Sequence, residues 1–398
     1  MPESVPGPLA GLRVVDLSSM MAGPHCARLM ADQGADVIKI ESLTGDHMRN
    51  LRPRMRGQSR FFGQLNLGKR SVALDLKSAR GLEAALALVA QADVLIEAWR
   101  PGVAAKLGLG YDECHVLNQR LVYCSISGYG QDGPDAGRAA FAPVVHAASG
   151  YDMANLPYQP PGSPPPTTGV YVGDILGGTV AYASILTALR RRDQLGIGGR
   201  ADVSLVDSMM SVLVYELQAA FAGLSDTRIS HPPLPTQDGW VAVTVVNNAT
   251  WTGMTRAMGV PELATDDRFH DVAARTEHWP ELQALMAEWS RTLSTDETEA
   301  RLLAAGVPAA RHRTPEELIH DEHHVHRGTF PEAFDTAGAF HAVAAPFRLD
   351  DVVTPAAGAR VPGLGEHTEQ VLQEVAGYAS SDVRRMVADG VAGVPQPR

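Results

Sequence analysis

Short apolar runs and amphipathic stretches alternate along roughly the first 210 residues, a pattern that predicts strands separated by helices. Runs 12–17 and 35–40 have the length and composition of buried strands, and residues 25–33 between them have a helical pattern. Further elements follow as strands over 71–75, 93–97, 121–127 and 201–206 and a helix over 79–92. Because strand–helix–strand units join parallel strands, we predict a doubly wound, Rossmann-like α/β domain.

A long helical pattern begins near Asp174. Apolar residues recur at positions 176, 180, 183, 186 and 189, and arginines fill positions 190–192, where cations suit the carbonyl end of a helix. Asp174 is therefore predicted at the start of a buried helix, next to Gly177 and Gly178, which would leave room for a ligand. Locally, two interpretations stay open: Asp174 is a helix N-cap, or it is a nucleophilic carboxylate.

Two proline-containing stretches separate the regular elements of the chain. A proline-rich stretch over 155–168 is predicted to be a loop, and a polar, proline-containing stretch over 225–236 follows a predicted helix over 208–223. A strand over 240–245 and helices over 250–258, 280–292 and 296–305 then predict a smaller α/β unit. We predict four segments: a large domain over 1–212, a linker over 213–236, a small α/β domain over 237–326 and a C-terminal segment over 327–398.

Composition limits the class of protein. The 398-residue chain carries a net charge of −11, which argues against a general nucleic-acid surface. Its three cysteines (Cys26, Cys114 and Cys124) have neither disulfide-framework nor metal-site spacing, as is usual in a reducing cytosol. No apolar run is predicted to approach the ~18 residues of a membrane span, and the N-terminus has no signal-peptide pattern. We therefore predict a soluble cytoplasmic protein with no membrane or nucleic-acid partner.

Two motifs lack the context that would support them. Gly128, Gly130 and Gly133 fit a dinucleotide-binding fingerprint, but Pro134 follows at once where such a motif must open a helix. These glycines are better explained by backbone approach to another ligand. Four histidines between residues 320 and 326 have no supporting metal-ligand pattern, and we predict no metal site there.

Many short motifs also occur in one order along the chain. They cover residues 8–17, Ala22-Gly23-Pro24, 34–41, 66–77, 100–102, 107–110, 127–134, the Asp174 segment, 306–308 and 364–368. Together they resemble the family III CoA-transferases, which include formyl-CoA transferase, carnitine CoA-transferase and α-methylacyl-CoA racemase. The resemblance implies a Rossmann-like large domain, completed by the C-terminal segment, and a smaller α/β domain. It also implies an interlocked, ring-shaped homodimer with active sites between subunits.

The resemblance implies a mechanism in which Asp174 is the catalytic residue. The carboxylate would attack an acyl-CoA thioester to form an aspartyl anhydride, then an aspartyl-CoA thioester, before a carboxylic acid accepts the CoA. Backbone N–H groups near the glycines would stabilise the tetrahedral intermediates. Acyl-CoA is then a substrate, and neither a metal nor a permanently bound cofactor is expected. By position, the resemblance places CoA contacts at Ser19, Met20, Met21, Ala22, Lys69, Ala98, Trp99, Arg100, Lys106, Gly128, Gly130 and Phe141.

Within that set, three groups have a specific expected role. The turn from Ser19 to Ala22 would meet the pantetheine arm and thioester, Lys69 and Lys106 would bind CoA phosphates, and residues 98–100 would line the adenosine region.

Some positions depart from the family pattern. Met21 replaces a glutamine of formyl-CoA transferase and Ala142 replaces a frequent acid, so we expect a more apolar acyl group than formyl or oxalyl. Phe141 stands where the racemases have a histidine base, and His146 follows five residues later. Two alternatives stay open: a 2-methylacyl-CoA racemase or epimerase using Asp174 and His146, and a catalytically weak CoA-thioester-binding paralogue.

Overall fold

The computed structural model describes residues 6–224, 230–349 and 359–395. By its internal contacts the chain divides into two compact units, Met1–Gln218 with His326–Arg398 and Ala219–Val325. The predicted linker 213–236 contains a helix, Val214–Phe221, and a short strand, Leu234–Pro235. Residues 225–229 of that linker lie outside the described part of the chain.

Six parallel strands form the centre of the first unit. They are β1 (Arg13–Asp16), β2 (Asp36–Glu41), β3 (Arg70–Leu74), β4 (Val94–Glu97), β5 (Val122–Ser127) and β6 (Gly199–Ser204). Their order in the sheet is β3-β2-β1-β4-β5-β6, and the short strand Ala392–Gly393 pairs antiparallel with β3. The predicted α/β fold with a mainly parallel sheet is thus confirmed. The order reverses between β1 and β4, and ligands of such sheets bind outside the carboxyl ends at this point.

Helices cover both faces of this sheet. The first helix, Ala22–Asp32, and the long helix, Val172–Leu195, share one buried apolar cluster with Val14 and Val122. The opposite face carries the next residues along the strands, including Val15. The other described α-helices of this unit are Arg60–Asn66, Ala79–Val89, Val103–Lys106, Tyr111–Leu117, Ala142–Ala148, Tyr151–Asn155, Leu205–Met210, Thr368–Glu374 and Ser380–Ala388. Because both faces are covered, strands β1 to β5 are almost wholly buried, as the sequence predicts, whereas the first half of the edge strand β6 is partly exposed.

Two boundaries differ from prediction for identifiable reasons. The first helix begins at Ala22 rather than near residue 25, since Pro24 has no N–H and is well tolerated in a first turn. The predicted strand 201–206 ends at Ser204, whose hydroxyl accepts the N–H of Asp207 and starts the helix Leu205–Met210.

The long helix is also long and apolar enough, by length and composition, to cross a membrane, contrary to the prediction that no run approaches that length. This is weak grounds for a membrane span, because the core helix of a soluble protein meets the same criterion. In the structure, Ala181, Ile185 and Leu189 are buried in the apolar cluster against the sheet. Packing thus accounts for these apolar residues. The helix ends at Gly196, which has the left-handed backbone that favours glycine.

The second unit has a small antiparallel sheet of Leu234–Pro235, Trp240–Val243 and Ala309–Arg311. Its described α-helices are Asn248–Met258, Val272–Glu277, Trp279–Ser290, Thr295–Ala304 and Pro315–Leu318, with Glu322–His326 at its boundary. Asn247 and Thr250 form a capping box, so the first of these helices begins before the predicted residue 250. Among the described residues, no group of three or more histidine, cysteine or acidic side chains is placed to hold a metal.

Candidate active site

Asp174 occupies the first turn of the long helix, two residues after its start. Tyr171 is the N-cap residue and its side chain makes no capping hydrogen bond, so the N-cap interpretation of Asp174 is wrong. The carboxylate is half-buried and has no ion pair among the described residues. Desolvation by burial raises its pKa to about 6, although the Asp174 backbone N–H opposes this shift. Such a carboxylate is ionised at neutral pH and weakly solvated, which favours reactivity.

The backbone N–H groups around Asp174 already have acceptors. The N–H of Val172 donates to the Val170 carbonyl (2.9 Å), and the N–H of Ile175 donates to the Tyr171 carbonyl (3.1 Å). Between them, the N–H of Gly173 donates to Nε2 of His146 (3.1 Å). The start of the long helix is therefore not the source of the oxyanion donors that we expected near its glycines.

Gly177 and Gly178 make room for protein atoms, so the prediction that they make room for a ligand is wrong. A Cβ atom added to Gly178 would lie 2.5 Å from the Ala22 carbonyl oxygen, and one added to Gly177 would meet the Leu205 side chain. Residues four apart share a helix face, so Asp174 and Gly178 lie on the same face of the long helix. Gly178 packs this face against the first helix. This contact brings Asp174 towards the turn that precedes Ala22.

That turn, Ser18 to Ala22, joins β1 to the first helix. Met20 has a φ of 67°, an unusual backbone conformation for a residue with a side chain. The Ser18 carbonyl accepts from Lys39 Nζ (2.7 Å), and the Met20 N–H lies 3.5 Å from Oδ1 of Asp46. A strained turn held by buried side chains is a frequent feature of functional sites.

Lys69 belongs to the buried charged groups beneath this turn. Its Nζ donates to Asp16 Oδ2 (2.8 Å), the Pro24 carbonyl (3.0 Å) and Asn66 Oδ1 (2.9 Å). The side chain is fully buried, and desolvation lowers its pKa to about 8. Because all three N–H groups have partners, the predicted contact of Lys69 with a CoA phosphate does not fit the structure.

A cavity of about 490 Å³ opens at the carboxyl ends of β1 to β4. Ser19 and Trp99, two of the predicted CoA contacts, line it together with His47 and Lys77. The last two side chains are exposed, and sequence reasoning missed both. A signal for Lys77 was available, because it follows the end of β3 by three residues at the ligand-binding edge of the sheet.

The remaining predicted CoA contacts on the β4 side are dispersed. Arg100 lines a separate cavity of about 180 Å³ with Glu97 and Arg200. Lys106 is exposed at the end of the short helix Val103–Lys106. Ala98 is half-buried and packs on the same apolar cluster as the long helix. The structure therefore groups only Ser19 and Trp99 of this set in the larger cavity.

The glycine loop after β5 is held by its own protein contacts. The Gly128 carbonyl accepts from the Val206 N–H (3.0 Å), and a Cβ atom on Gly128 would collide with the Ala140 side chain. Gly130 has a φ of 86°, and the N–H of the next residue donates to Asp202 (3.0 Å). These contacts tie the loop to the region of Leu205, on which the long helix packs.

The side chains expected to line an apolar acyl pocket, among them Met21, Phe141 and Ala142, lie in different environments. Met21 is buried in a core cluster with Met48 and Phe62, and Met20 packs on that cluster. Ala142 is buried, whereas Phe141 is 64% exposed. Met21 therefore cannot support the expectation of a more apolar acyl group.

His146 is placed differently from a racemase base. It is buried, and its Nε2 lone pair accepts the Gly173 N–H, so that nitrogen is not free to take a proton from a substrate. Burial also lowers its pKa. This geometry disfavours the racemase alternative.

Known proteins resemble the chain over nearly all of its length. It is 31% identical to succinyl-CoA–D-citramalate CoA-transferase of Chloroflexus aurantiacus, covering 97% of this chain and 98% of that one. It is 33% identical to succinyl-CoA:mesaconate CoA-transferase of Haloarcula hispanica, covering 92% and 96%. A CaiB/BaiF family protein from Brucella suis has a similar crystal structure, with a TM-score of 0.81, 32% identity and coverage of 93% and 100%.

The family model for CoA-transferase family III matches residues 9–368. The order of motifs, the mainly parallel sheet and these relatives agree with one another. The chain therefore belongs to CoA-transferase family III and is an enzyme of the CoA-transferase class.

Proposed function

We propose that this enzyme transfers CoA between an acyl-CoA and a carboxylic acid through a covalent intermediate on Asp174. The observation that carries the proposal is the placement of this carboxylate: half-buried, without an ion pair in the described part of the chain, and one helical turn before Gly178, which packs on the Ala22 carbonyl. The pKa of about 6 keeps it ionised at neutral pH.

The chemistry balances without an oxidant or reductant. An Asp174 carboxylate oxygen attacks the thioester carbonyl carbon, the C–S bond breaks, and CoA leaves as a thiolate from an acyl-aspartyl anhydride. The thiolate attacks the Asp174 carbonyl carbon, forming an aspartyl-CoA thioester and releasing the first acid. The acceptor carboxylate attacks the carbonyl carbon of this thioester, the C–S bond breaks, and a second anhydride and CoA thiolate form. The thiolate then attacks the acyl carbonyl carbon of that anhydride, which gives the new acyl-CoA and frees the Asp174 carboxylate.

Backbone amides of the first helix are the best-placed donors for the developing oxyanions. Within the described residues, the N–H groups of Ala22 and Gly23 have no assigned acceptor, and Pro24 has no N–H. Ala22 is the residue whose carbonyl contacts Gly178, one turn after Asp174. Fixed amides of this kind stabilise a charge that develops in the transition state.

We assign the larger cavity to the CoA nucleotide. Ser19 and Trp99 line it, and Lys77 supplies an exposed cation for the phosphates in place of buried Lys69. Roles for Ala98, Arg100 and Lys106, and for Gly128, Gly130 and Phe141, remain predictions from the resemblance. No permanently bound cofactor is proposed.

The relatives suggest which substrates to test first. Two of them are named for succinyl-CoA as donor, with D-citramalate or mesaconate as acceptor. We propose small dicarboxylic acids and their CoA thioesters as the substrate class. Formyl-CoA with oxalate serves as a comparison, because formyl-CoA:oxalate CoA-transferase of Streptomyces coelicolor is 31% identical to this chain.

We also propose that the enzyme is a cytoplasmic homodimer whose two chains interlock. The family resemblance suggests this assembly. Large apolar side chains exposed on the first unit, including Phe141, Val144 and Val170, support a covered surface.

The test measures CoA transfer from succinyl-CoA to D-citramalate or mesaconate by the Asp174→Asn and Asp174→Ala variants. Asp207→Asn is the matched control, because Asp207 is an exposed aspartate in the first turn of a neighbouring helix. We expect both Asp174 variants to lose turnover by roughly a thousandfold or more and Asp207→Asn to keep it. Turnover by folded Asp174→Ala at the wild-type rate would overturn the proposal.

A further inference from the structure

His146 is hydrogen-bonded to the backbone N–H of Gly173, the residue before Asp174, and its surroundings favour a neutral imidazole. It is 2% exposed, in the helix Ala142–Ala148, and its ring packs near Tyr151 with 5.6 Å between ring centroids. Its Nε2 accepts the N–H of Gly173 at 3.1 Å. Because Nε2 accepts, the proton of the neutral ring is on Nδ1.

This hydrogen bond replaces a cap that the long helix otherwise lacks. The first N–H groups of a helix have no partner inside the helix, and Tyr171 supplies none from its side chain. Gly173 is buried and immediately precedes Asp174. The imidazole therefore fixes the peptide that carries the proposed nucleophile.

The close approach depends on the glycine. A Cβ atom on Gly173 would lie 3.0 Å from Cγ1 of Val145 and 3.5 Å from Cδ2 of His146. The first turn thus packs directly on the helix that carries His146. A displacement of that helix would move the backbone of Asp174 with it.

We propose that His146 is a positioning residue for Asp174: it holds the first turn of the long helix through Nε2 and takes no proton from substrate. The proposal rests on the assigned role of Asp174 as nucleophile. An error of about 1 Å in the position of a reacting group reduces the rate about a hundredfold. Loss of the Nε2 acceptor should therefore lower kcat more than it raises KM.

Three histidine variants test this role. His146→Leu removes the acceptor, whereas His146→Gln keeps an acceptor oxygen at a similar reach. His367→Leu is the matched control, because Nδ1 of His367 also accepts a backbone N–H, that of Ser71 at 3.2 Å, next to β3. Asp174→Asn is measured beside them so that the two proposals can fail separately.

Steady-state kinetics with succinyl-CoA and thermal unfolding are the readouts. We expect His146→Leu to lose about ten- to a hundredfold in kcat with KM for acyl-CoA nearly unchanged, and His146→Gln to regain most of that loss. His367→Leu should lower the melting temperature without lowering kcat.

Three results would overturn the proposal: wild-type kcat in His146→Leu, no recovery in His146→Gln, or an equal loss of kcat in His367→Leu. If His146→Leu does not fold, His146→Asn replaces it, because its shorter amide cannot reach Gly173 and the same three comparisons apply. An inactive Asp174→Asn beside a fully active His146→Leu would reject the positioning role alone. An active Asp174→Asn protein would reject the assignment of Asp174 as the nucleophile.

Discussion

Two effects oppose each other at Asp174. The first turn of a helix favours a negative charge by about 0.3–1 kcal/mol, and the backbone N–H of Asp174 stabilises its carboxylate. Burial acts the other way and prevails, raising the pKa to about 6, because no cation pairs with the carboxylate in the described part of the chain. The residue is thus ionised at neutral pH at some expense to stability, as expected of a catalytic group.

Asp174→Asn should therefore stabilise the folded protein above pH 6. The pKa is 3.8 in the unfolded chain and about 6 in the folded one, so wild-type stability from this group falls as pH rises between those values. The amide does not titrate, and we expect it to be more stable by about 1–3 kcal/mol at pH 7.5. Urea unfolding from pH 4 to pH 8 measures the difference, and equal stability at pH 7.5 would contradict this interpretation.

Substitutions of Lys77 and Lys69 should have different effects, because Lys77 is exposed and Lys69 is buried. Lys77→Ala should raise KM for acyl-CoA about tenfold, with less effect at high salt, whereas Lys77→Arg keeps the charge. Lys69→Met should instead destabilise the fold by about 3–5 kcal/mol, because Asp16 loses its partner. Initial rates against acyl-CoA concentration and urea unfolding separate the two effects. An unchanged KM in Lys77→Ala would remove that residue from the phosphate site.

At the scale of elements, the contact between the long helix and the first helix sets the geometry of the site. Gly178 lets the Ala22 carbonyl approach, while Gly177, one residue earlier, faces the side chain of Leu205. A backbone carbonyl cannot move without its helix, but a leucine methyl group can rotate away. A side chain at position 178 is therefore excluded by backbone atoms, whereas a side chain at position 177 would meet only a movable leucine side chain.

Gly178→Ala should displace the long helix from the first helix, lowering stability by about 1–3 kcal/mol and reducing kcat. Gly177→Ala gains the same helix propensity and meets only the movable side chain of Leu205, so its losses should be smaller. Unfolding midpoints and kcat of the two variants provide the comparison. A Gly177→Ala protein that is as impaired as Gly178→Ala would contradict the assigned contact.

Apolar patterning was sufficient to predict most of these elements. The strands β1 to β5 are mostly apolar because both sheet faces are covered, and the long helix shows its apolar spacing directly in the sequence. The contacts that shape the site are not local. Lys69 looks like a free cation in the sequence, yet its partners Asp16 and Pro24 come from a strand and a helix far earlier in the chain. Gly178 and Ala22, which contact each other, are also far apart in the sequence.

At the scale of the whole molecule, the proposed interlocked homodimer explains why the first unit exposes large apolar side chains. Val170 is 67% exposed and Phe141 is 64% exposed. Light scattering during gel filtration should therefore give twice the chain mass of 42.4 kDa at micromolar concentration. A single-chain mass with full activity would contradict the proposed assembly.

Trapping the covalent intermediate tests the central proposal most directly. The enzyme is incubated with succinyl-CoA and hydroxylamine, digested, and analysed by peptide mass spectrometry. An anhydride or thioester on Asp174 would react with hydroxylamine to give a hydroxamate on that residue. We predict that Asp174 is modified only when succinyl-CoA is present and that Asp207 stays unmodified. Turnover of succinyl-CoA with Asp174 unmodified, or a hydroxamate on another residue, would contradict the proposal.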